Sequence, residues 1–331
     1  MTIAFTEILA ARKRIAAHVR RTPLCRAEAL SGRAGVPVLL KCEHRQITGS
    51  FKLRGATNAV LCLGADERAA GVTGASTGNH GRALSHAARQ AGAKAIICMS
   101  RLVPENKIAA IRALGAEARI VGNSQDDAQH EVDRLVREQG MTMVSPFDAA
   151  NIIAGQGTLG VEIVEDAPEL AMIIVPLSGG GLISGVALAA KTLNPDIRVI
   201  GVSMTRGAAM KASLDAGHPV DIEELPTLAD SLGGGIGLEN RHTFEMVRAL
   251  VDDIVLVSEA QIAAGIRTAY AEESEVIEGA AAVGIAALDA GLIRPSGPTA
   301  LVLSGKNIDM NLHRRIIAGE NPELSQEVPN A

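Results

Sequence analysis

An α/β protein of mainly parallel strands joined by crossover helices is the fold class this sequence predicts, and three observations predict it. From about residue 36 short apolar runs alternate with Ala-rich segments of helical period. Glycine-rich turns at 71–84 and 178–181 carry an apolar run straight into a helix, as loops at the carboxyl ends of parallel strands do. The chain has 331 residues, 47% apolar and 21% charged, which suits a compact protein with more than one typical core, so two lobes are expected.

The first 24 residues are Arg-rich and amphipathic, like an organellar transit peptide, but also read as a helix of the mature, cytoplasmic protein. In that reading Thr6 caps the helix, Ile8, Ile15 and Val19 share a face, and Pro23 follows its end. Strands are expected over 36–42, 70–73, 93–99, 118–121, 141–144, 172–175, 198–202, 254–257 and 299–303, because each is a short apolar run bounded by turn residues. Helical period marks 79–90, 104–114, 182–193 and 260–271, and 217–226 reads as an extended surface connection. The chain ends soon after its last strand, so no appended regulatory domain is expected.

Composition excludes several partners. A net charge of -5, no tryptophan, one tyrosine and four phenylalanines offer neither a basic footprint nor a stacking platform for nucleic acid. No apolar run approaches the roughly 18 residues of a membrane span. Cys25, Cys42, Cys62 and Cys98 never form C-x-x-C and mostly lie in apolar stretches, so buried free thiols are expected, with no zinc. His44, His80, His86 and His242 fall into no known ligand spacing, and Glu272, Glu273 and Glu275 read as a solvated helix end.

The segment from Met172 to Lys191 passes from a strand through Ser178, Gly179, Gly180 and Gly181 into a helix. Inward-turned amides and the positive helix end make a cradle for phosphate. A merely structural turn is the bland alternative. A dinucleotide site is disfavoured, since the next strand ends at Ser203 where a ribose-binding carboxylate is wanted. In the turn at 71–84, Ser76, Thr77, Asn79 and His80 crowd together and suit a small carboxylate, although Asn79 is also a plausible helix cap. A phosphate cradle together with Lys52 in "GSFK" fits a carbonyl cofactor held by an amine.

"TGSFKLRGA" at 48–56, "STGNHG" at 76–81, "SGGGL" at 178–182 and "LSGKN" at 303–307 together resemble the fold type II pyridoxal-phosphate enzymes. The likeness is to the threonine/serine dehydratase and serine racemase branch and runs from about residue 5 to 312. It implies a two-domain, tryptophan synthase β-like fold, with a large pyridoxal 5'-phosphate domain of residues 1–68 and 149–331 and a small domain of residues 71–148. It also implies that Lys52 forms the internal Schiff base and takes the substrate α-proton, that Phe51 packs beside the ring, and that Asn79 bonds the ring hydroxyl. Ser178, Gly179, Gly180, Gly181 and Leu182 would hold the phosphate, Ser304 would meet the ring nitrogen, and Glu278 would lie near the ring. Ser76, Thr77 and His80 would grip the substrate carboxylate, Thr77 standing where racemases carry their second acid/base serine.

The resemblance implies a dehydratase, an ammonia-lyase converting a small β-hydroxy amino acid (threonine, serine, hydroxyaspartate or a hydroxyectoine-derived amino acid) to a 2-oxo acid and ammonia. Relatives are commonly homodimers. A racemase, a β-replacement synthase and a non-catalytic phosphate-ligand binder are the alternatives. Several positions depart from the family pattern. Ser203 and Ala209 stand where metal-activated members place carboxylates, so no metal is expected there. "SGKN" places Lys306 near the ring end or in solvent. "ADS" at 229–231 replaces "ADG", and "EHRQ" at 43–46 places His44 and Arg45 ahead of the lysine loop, both toward the expected substrate side. These two features resemble the hydroxyectoine-utilisation dehydratases, a subgroup of the family.

Overall fold

Short buried runs separated by helices assemble here into two sheets. The computed structural model describes residues 3–76, 78–103 and 105–322. Its strands are β1 (Leu24–Arg26), β2 (Val38–Lys41), β3 (Val72–Ala75), β4 (Ala95–Met99), β5 (Glu117–Ile120), β6 (Thr142–Met143), β7 (Met172–Pro176), β8 (Arg198–Met204), β9 (Asp253–Val257) and β10 (Thr299–Val302). The larger sheet has the order β1-β2-β10-β7-β8-β9 and the smaller β5-β4-β3-β6. Among the described residues every pairing of these strands is parallel except β1 with β2, and an isolated antiparallel bridge joins Ser50 to Gly305. Every residue of β4, β7 and β10 is buried, as expected of parallel strands covered by helices on both faces.

All nine expected strands are present, their ends shifted by a few residues. The expected helices are Asn79–Gln90, Glu105–Ala113, Gly181–Leu193 and Glu259–Glu273, Pro104 lying outside the described residues. Strand β1 was not anticipated: three residues at a sheet edge, none fully buried, carry no readable period.

The first helix spans Phe5–Ile15 and buries Ile8 and Ile15 as expected, but Thr6 does not cap it. Ala4 occupies the cap position, and the Glu7 carboxylate reaches back to accept the Ala4 N–H at 2.7 Å. An acidic residue in the first turn answers both the free amide and the helix dipole, leaving Thr6 inside the turn. Residues 217–226 form the irregular connection expected of them.

The helix Lys52–Leu61, grouped by the sequence reading with the larger unit, contributes Leu53, Ala56, Ala59 and Val60 to the apolar cluster of the smaller sheet. On the larger sheet, the Gly279–Asp289 helix is buried almost all round. Its alanines form a single cluster with Met172, Ile200, Val257 and Leu301 from β7, β8, β9 and β10. All four cysteines are free thiols; Cys42 and Cys98 are buried, but Cys62 is exposed at the end of its helix, contrary to expectation.

Candidate active site

Strands β2 and β10 are parallel neighbours, so the segments that follow them leave the sheet at the same edge and meet. The Phe51 N–H donates to the Ser304 carbonyl at 3.0 Å, and the Lys306 N–H donates to the Gly49 carbonyl at 2.9 Å. Asn307 Nδ2 donates to the Thr48 carbonyl at 3.1 Å. Two motifs some 250 positions apart in sequence are thereby stitched into one wall, and Lys52 opens its helix from that wall.

Strand β7, the other neighbour of β10, delivers the glycine turn to the same edge. Gly180 has φ +89°, a left-handed conformation that disfavours a side chain. A Cβ at Gly179 would stand 2.5 Å from the Phe147 ring, and one at Gly181 would stand 2.7 Å from the Phe147 carbonyl oxygen. Such bare backbone at the start of the Gly181–Leu193 helix is an anion cradle.

Phe51, Lys52, Asn79, Ser178 to Leu182 and Ser304 all line one cavity, together with Glu278 and Phe147. Lys52 Nζ donates to the Pro146 carbonyl at 2.6 Å and lies 5.4 Å from the centre of the Phe51 ring. Burial pushes its pKa down to about 8, with the Glu278 charge acting in the opposite sense.

Asn79 does not cap its helix; Gly78 holds that position, and the Asn79 side chain faces the cavity. Its Nδ2 donates to Glu278 Oε1 at 2.7 Å, and its Oδ1 accepts from Asn307 Nδ2 at 2.5 Å. Glu278 also accepts the Asn307 N–H at 2.9 Å. Burial, reinforced by Asp230, raises the Glu278 pKa to about 7.

Ser76 and His80 line an adjoining cavity that shares Lys52, Asn79, Phe147, Ser178 and Ser231 with the first. Ser76 Oγ accepts the Gly81 N–H at 3.1 Å. The His80 Nε2 lies 2.9 Å from the Val144 carbonyl, which requires the proton on that nitrogen and leaves Nδ1 an unpartnered acceptor. Burial, with the Lys52 charge, pushes the His80 pKa down to about 3. The ring is neutral and offers a carboxylate no donor. Thr77 lies outside the described residues.

Other positions fall away from the cavities. His44 is buried with Nε2 2.7 Å from Glu275 Oε2, and Arg45 pairs with the same carboxylate. Neither residue lines the substrate side as expected, and Glu275 is no solvated helix end: it ties the turn before Lys52 to the segment that leads into Glu278. Lys306 is exposed. Ser231 lines both cavities, on the substrate side where the sequence put it, whereas sequence reasoning missed Phe147, which also lines both, and Asn307. For Phe147 a signal existed, since "SPF" follows β6 at the strand end where sites gather.

A helix-start cradle for an anion, a desolvated amine and a buried hydroxyl at Ser304 are the donors that a phosphorylated pyridine aldehyde requires. The sequence profile of the pyridoxal-phosphate dependent enzymes matches residues 15–305. A Sinorhizobium fredii protein, named provisionally as a threonine dehydratase, is 60% identical over 96% of each chain. The L-threonine ammonia-lyase of Thermotoga maritima is 41% identical, over 95% of this chain and 78% of its own. The solved structure of maize serine racemase superposes with a TM-score of 0.90 at 32% identity, covering 96% of this chain and 98% of that one. The chain belongs to the pyridoxal-phosphate dependent enzyme family. Its cofactor is pyridoxal 5'-phosphate.

Proposed function

We propose that this chain eliminates the β-hydroxyl of a small β-hydroxy amino acid as water, and that the enamine released tautomerises and takes a water back on hydrolysis, leaving a 2-oxo acid and ammonia. It is a pyridoxal-phosphate-dependent lyase of the threonine/serine dehydratase type, and threonine and serine are its first candidate substrates. In this reading Lys52 holds the cofactor aldehyde, the amides of Ser178 to Leu182 hold the phosphate, Phe51 flanks the ring, Asn79 meets the ring hydroxyl and Ser304 the ring nitrogen. When bound, the cofactor supplies an electron sink for charge at the substrate Cα, and a hydroxyl such as Ser304 at its nitrogen keeps that sink weak, favouring prompt loss of the β-hydroxyl.

Lys52 then acts as the base. Its neutral amine takes the Cα proton at Nζ, and its pKa of about 8 gives it a far larger neutral fraction near pH 7 than an ordinary lysine has. Glu278, a neutral acid up to about pH 7, holds Asn79 in place. The substrate carboxylate is met by the 76–81 loop through Ser76, Thr77 and backbone N–H groups, His80 having no donor to spare.

The observation that carries this reading is the meeting of the desolvated Lys52 amine with the glycine cradle in one cavity. Purified protein should be yellow and release ammonia and 2-oxo acid from L-threonine or L-serine. Lys52→Ala should abolish both the visible band and the product, and a variant that kept either would refute the assignment.

Likeness to the maize racemase favours inversion as a side reaction on this scaffold, which chiral analysis of recovered substrate would reveal. Of the features resembling the hydroxyectoine-utilisation dehydratases, Ser231 faces the cleft and supports a substrate with an added polar group, whereas His44 and Arg45 do not face it. Among the described residues no helix is long and apolar enough to cross a membrane. We place the enzyme in the cytoplasm as a homodimer, with lobes divided at 1–68 plus 149–331 against 71–148. Light scattering at twice 34.3 kDa tests the assembly.

A further inference from the structure

The irregular segment after residue 217 ends in a short 3-10 turn, Asp230–Leu232, whose Leu232 is buried and anchors it to the larger sheet. The two residues before that anchor project toward elements of the smaller sheet. Asp230 Oδ2 lies 3.5 Å from Lys107 Nζ on the Glu105–Ala113 helix. Ser231 Oγ lies 3.4 Å from Asn79 Nδ2, and the Ser231 hydroxyl is exposed to the cleft where the two cavities join.

The donor and acceptor pattern fixes what this hydroxyl has left to offer. The Ser231 proton goes to a carboxyl group, Asp230 Oδ1 at 3.3 Å or the neighbouring Glu278, and either way the Ser231 oxygen is left to accept. One Asn79 amide hydrogen is committed to Glu278 at 2.7 Å, and the other reaches Ser231 only over a long 3.4 Å. The Ser231 oxygen therefore keeps a free lone pair in the mouth of the site, aligned by a carboxylate behind it. A group entering there with a hydrogen to donate meets an acceptor. Glycine, which the family pattern carries at this position, would offer none.

We propose that Ser231 is a specificity-determining residue that accepts a hydrogen bond from the β-hydroxyl of the substrate. The inference rests on the β-hydroxy ammonia-lyase reading above. Because Ser231 accepts rather than donates, it orients the hydroxyl in the bound substrate and does not protonate it as it leaves. Its loss falls on KM more than on kcat.

The test compares whichever of L-serine or L-threonine is the better substrate with β-chloro-L-alanine, whose leaving group has no hydrogen to donate. In Ser231→Ala and Ser231→Gly, kcat/KM for the hydroxy substrate should fall about tenfold, mainly through KM, while that for the chloro substrate falls no more than about twofold. Ser231→Thr should restore discrimination, and the cofactor absorbance should be the same in all four proteins. A parallel fall on both substrates would mean a structural role, and an unchanged hydroxy substrate would mean no contact; either overturns the proposal. A wild-type protein that processes the chloro substrate but no hydroxy amino acid would sink the underlying reading as well, so the two failures are told apart.

Discussion

Lys52 is set apart from the other lysines by where its amine ends. The charged form loses hydration in the cavity, and only the Glu278 charge and the Pro146 carbonyl partly replace it, so the folded-state pKa drops from 10.5 to about 8. Only the neutral amine is nucleophilic, and its fraction rises with pH. Capture of pyridoxal phosphate by apoprotein, followed by visible absorbance, should therefore accelerate with pH and level off above about 8. An inflection near 10.5 would contradict the burial argument. Glu278 moves the opposite way, from 4.5 to about 7, so the folded chain binds more protons than the unfolded one between those values. Its contribution to stability is full below pH 4.5 and is lost as pH rises through about 7. In apoprotein, Glu278→Gln should remove that decline, and parallel melting curves of the two proteins across this window would show the carboxyl to be better solvated than its surroundings imply.

The helix that begins at Lys52 is held by charges it buries. Arg54, 1% exposed, forks onto Glu43 at 2.8 and 2.9 Å and onto Glu162 at 2.7 and 2.8 Å, and Lys41 Nζ reaches Glu162 at 2.7 Å. Two cations and two carboxylates balance, so removing one leaves a buried charge unpaired. Arg54→Ala should cost about 3–5 kcal/mol in denaturant unfolding, far more than an exposed ion pair of this chain such as Lys211–Asp215. The glycine turn is constrained by shape instead. Gly181→Ala places a methyl against the Phe147 backbone, which cannot swing aside, so the affinity of apoprotein for pyridoxal phosphate should fall at least about tenfold while the far-ultraviolet dichroism stays unchanged. Neither device was visible as a pattern in sequence. Nothing in their local sequence sets Glu43, Arg54 and Glu162 apart from exposed charges, and the strand-end position of Phe147 does not say which glycines it touches. The central strands β4, β7 and β10 were visible because a parallel strand covered on both faces must be a continuous apolar run, while the short edge strand β1 obeys no such rule.

Across the whole molecule the site depends on how the elements around the smaller sheet sit against the larger one. Asp148, where the chain returns to the larger sheet, accepts the backbone N–H groups of Arg241, His242 and Thr243 at 2.6, 2.9 and 3.0 Å, and so occupies the positive start of the Thr243–Leu250 helix. Asp148→Ala should lower stability by about 2 kcal/mol and leave the cofactor band in place, since the residue touches neither Lys52 nor the cradle. Equal melting temperatures for variant and wild type would show that the junction is held elsewhere. The Lys107–Asp230 pair, half-exposed and 3.5 Å apart, adds little to that hold.

The sequence by itself determined the alternation of buried runs and helices, the glycine cradle and the lysine opposite it, because each of these is local: a backbone that must turn without side chains, a strand that must be apolar, an amine set beside a turn. Only the tertiary structure decided which distant groups complete them. Asn79 opens the helix after β3, Glu278 precedes the Gly279–Asp289 helix and Asn307 follows β10, and they acquire their shared hydrogen bonds only when the elements of the two sheets come together. The same convergence turns His80 back onto Val144, seals His44 against Glu275 and brings Ser231 into the mouth of the cleft. Burial, charge pairing and pKa are properties of neighbours in space, and neighbours in space are fixed only once the sheets have formed.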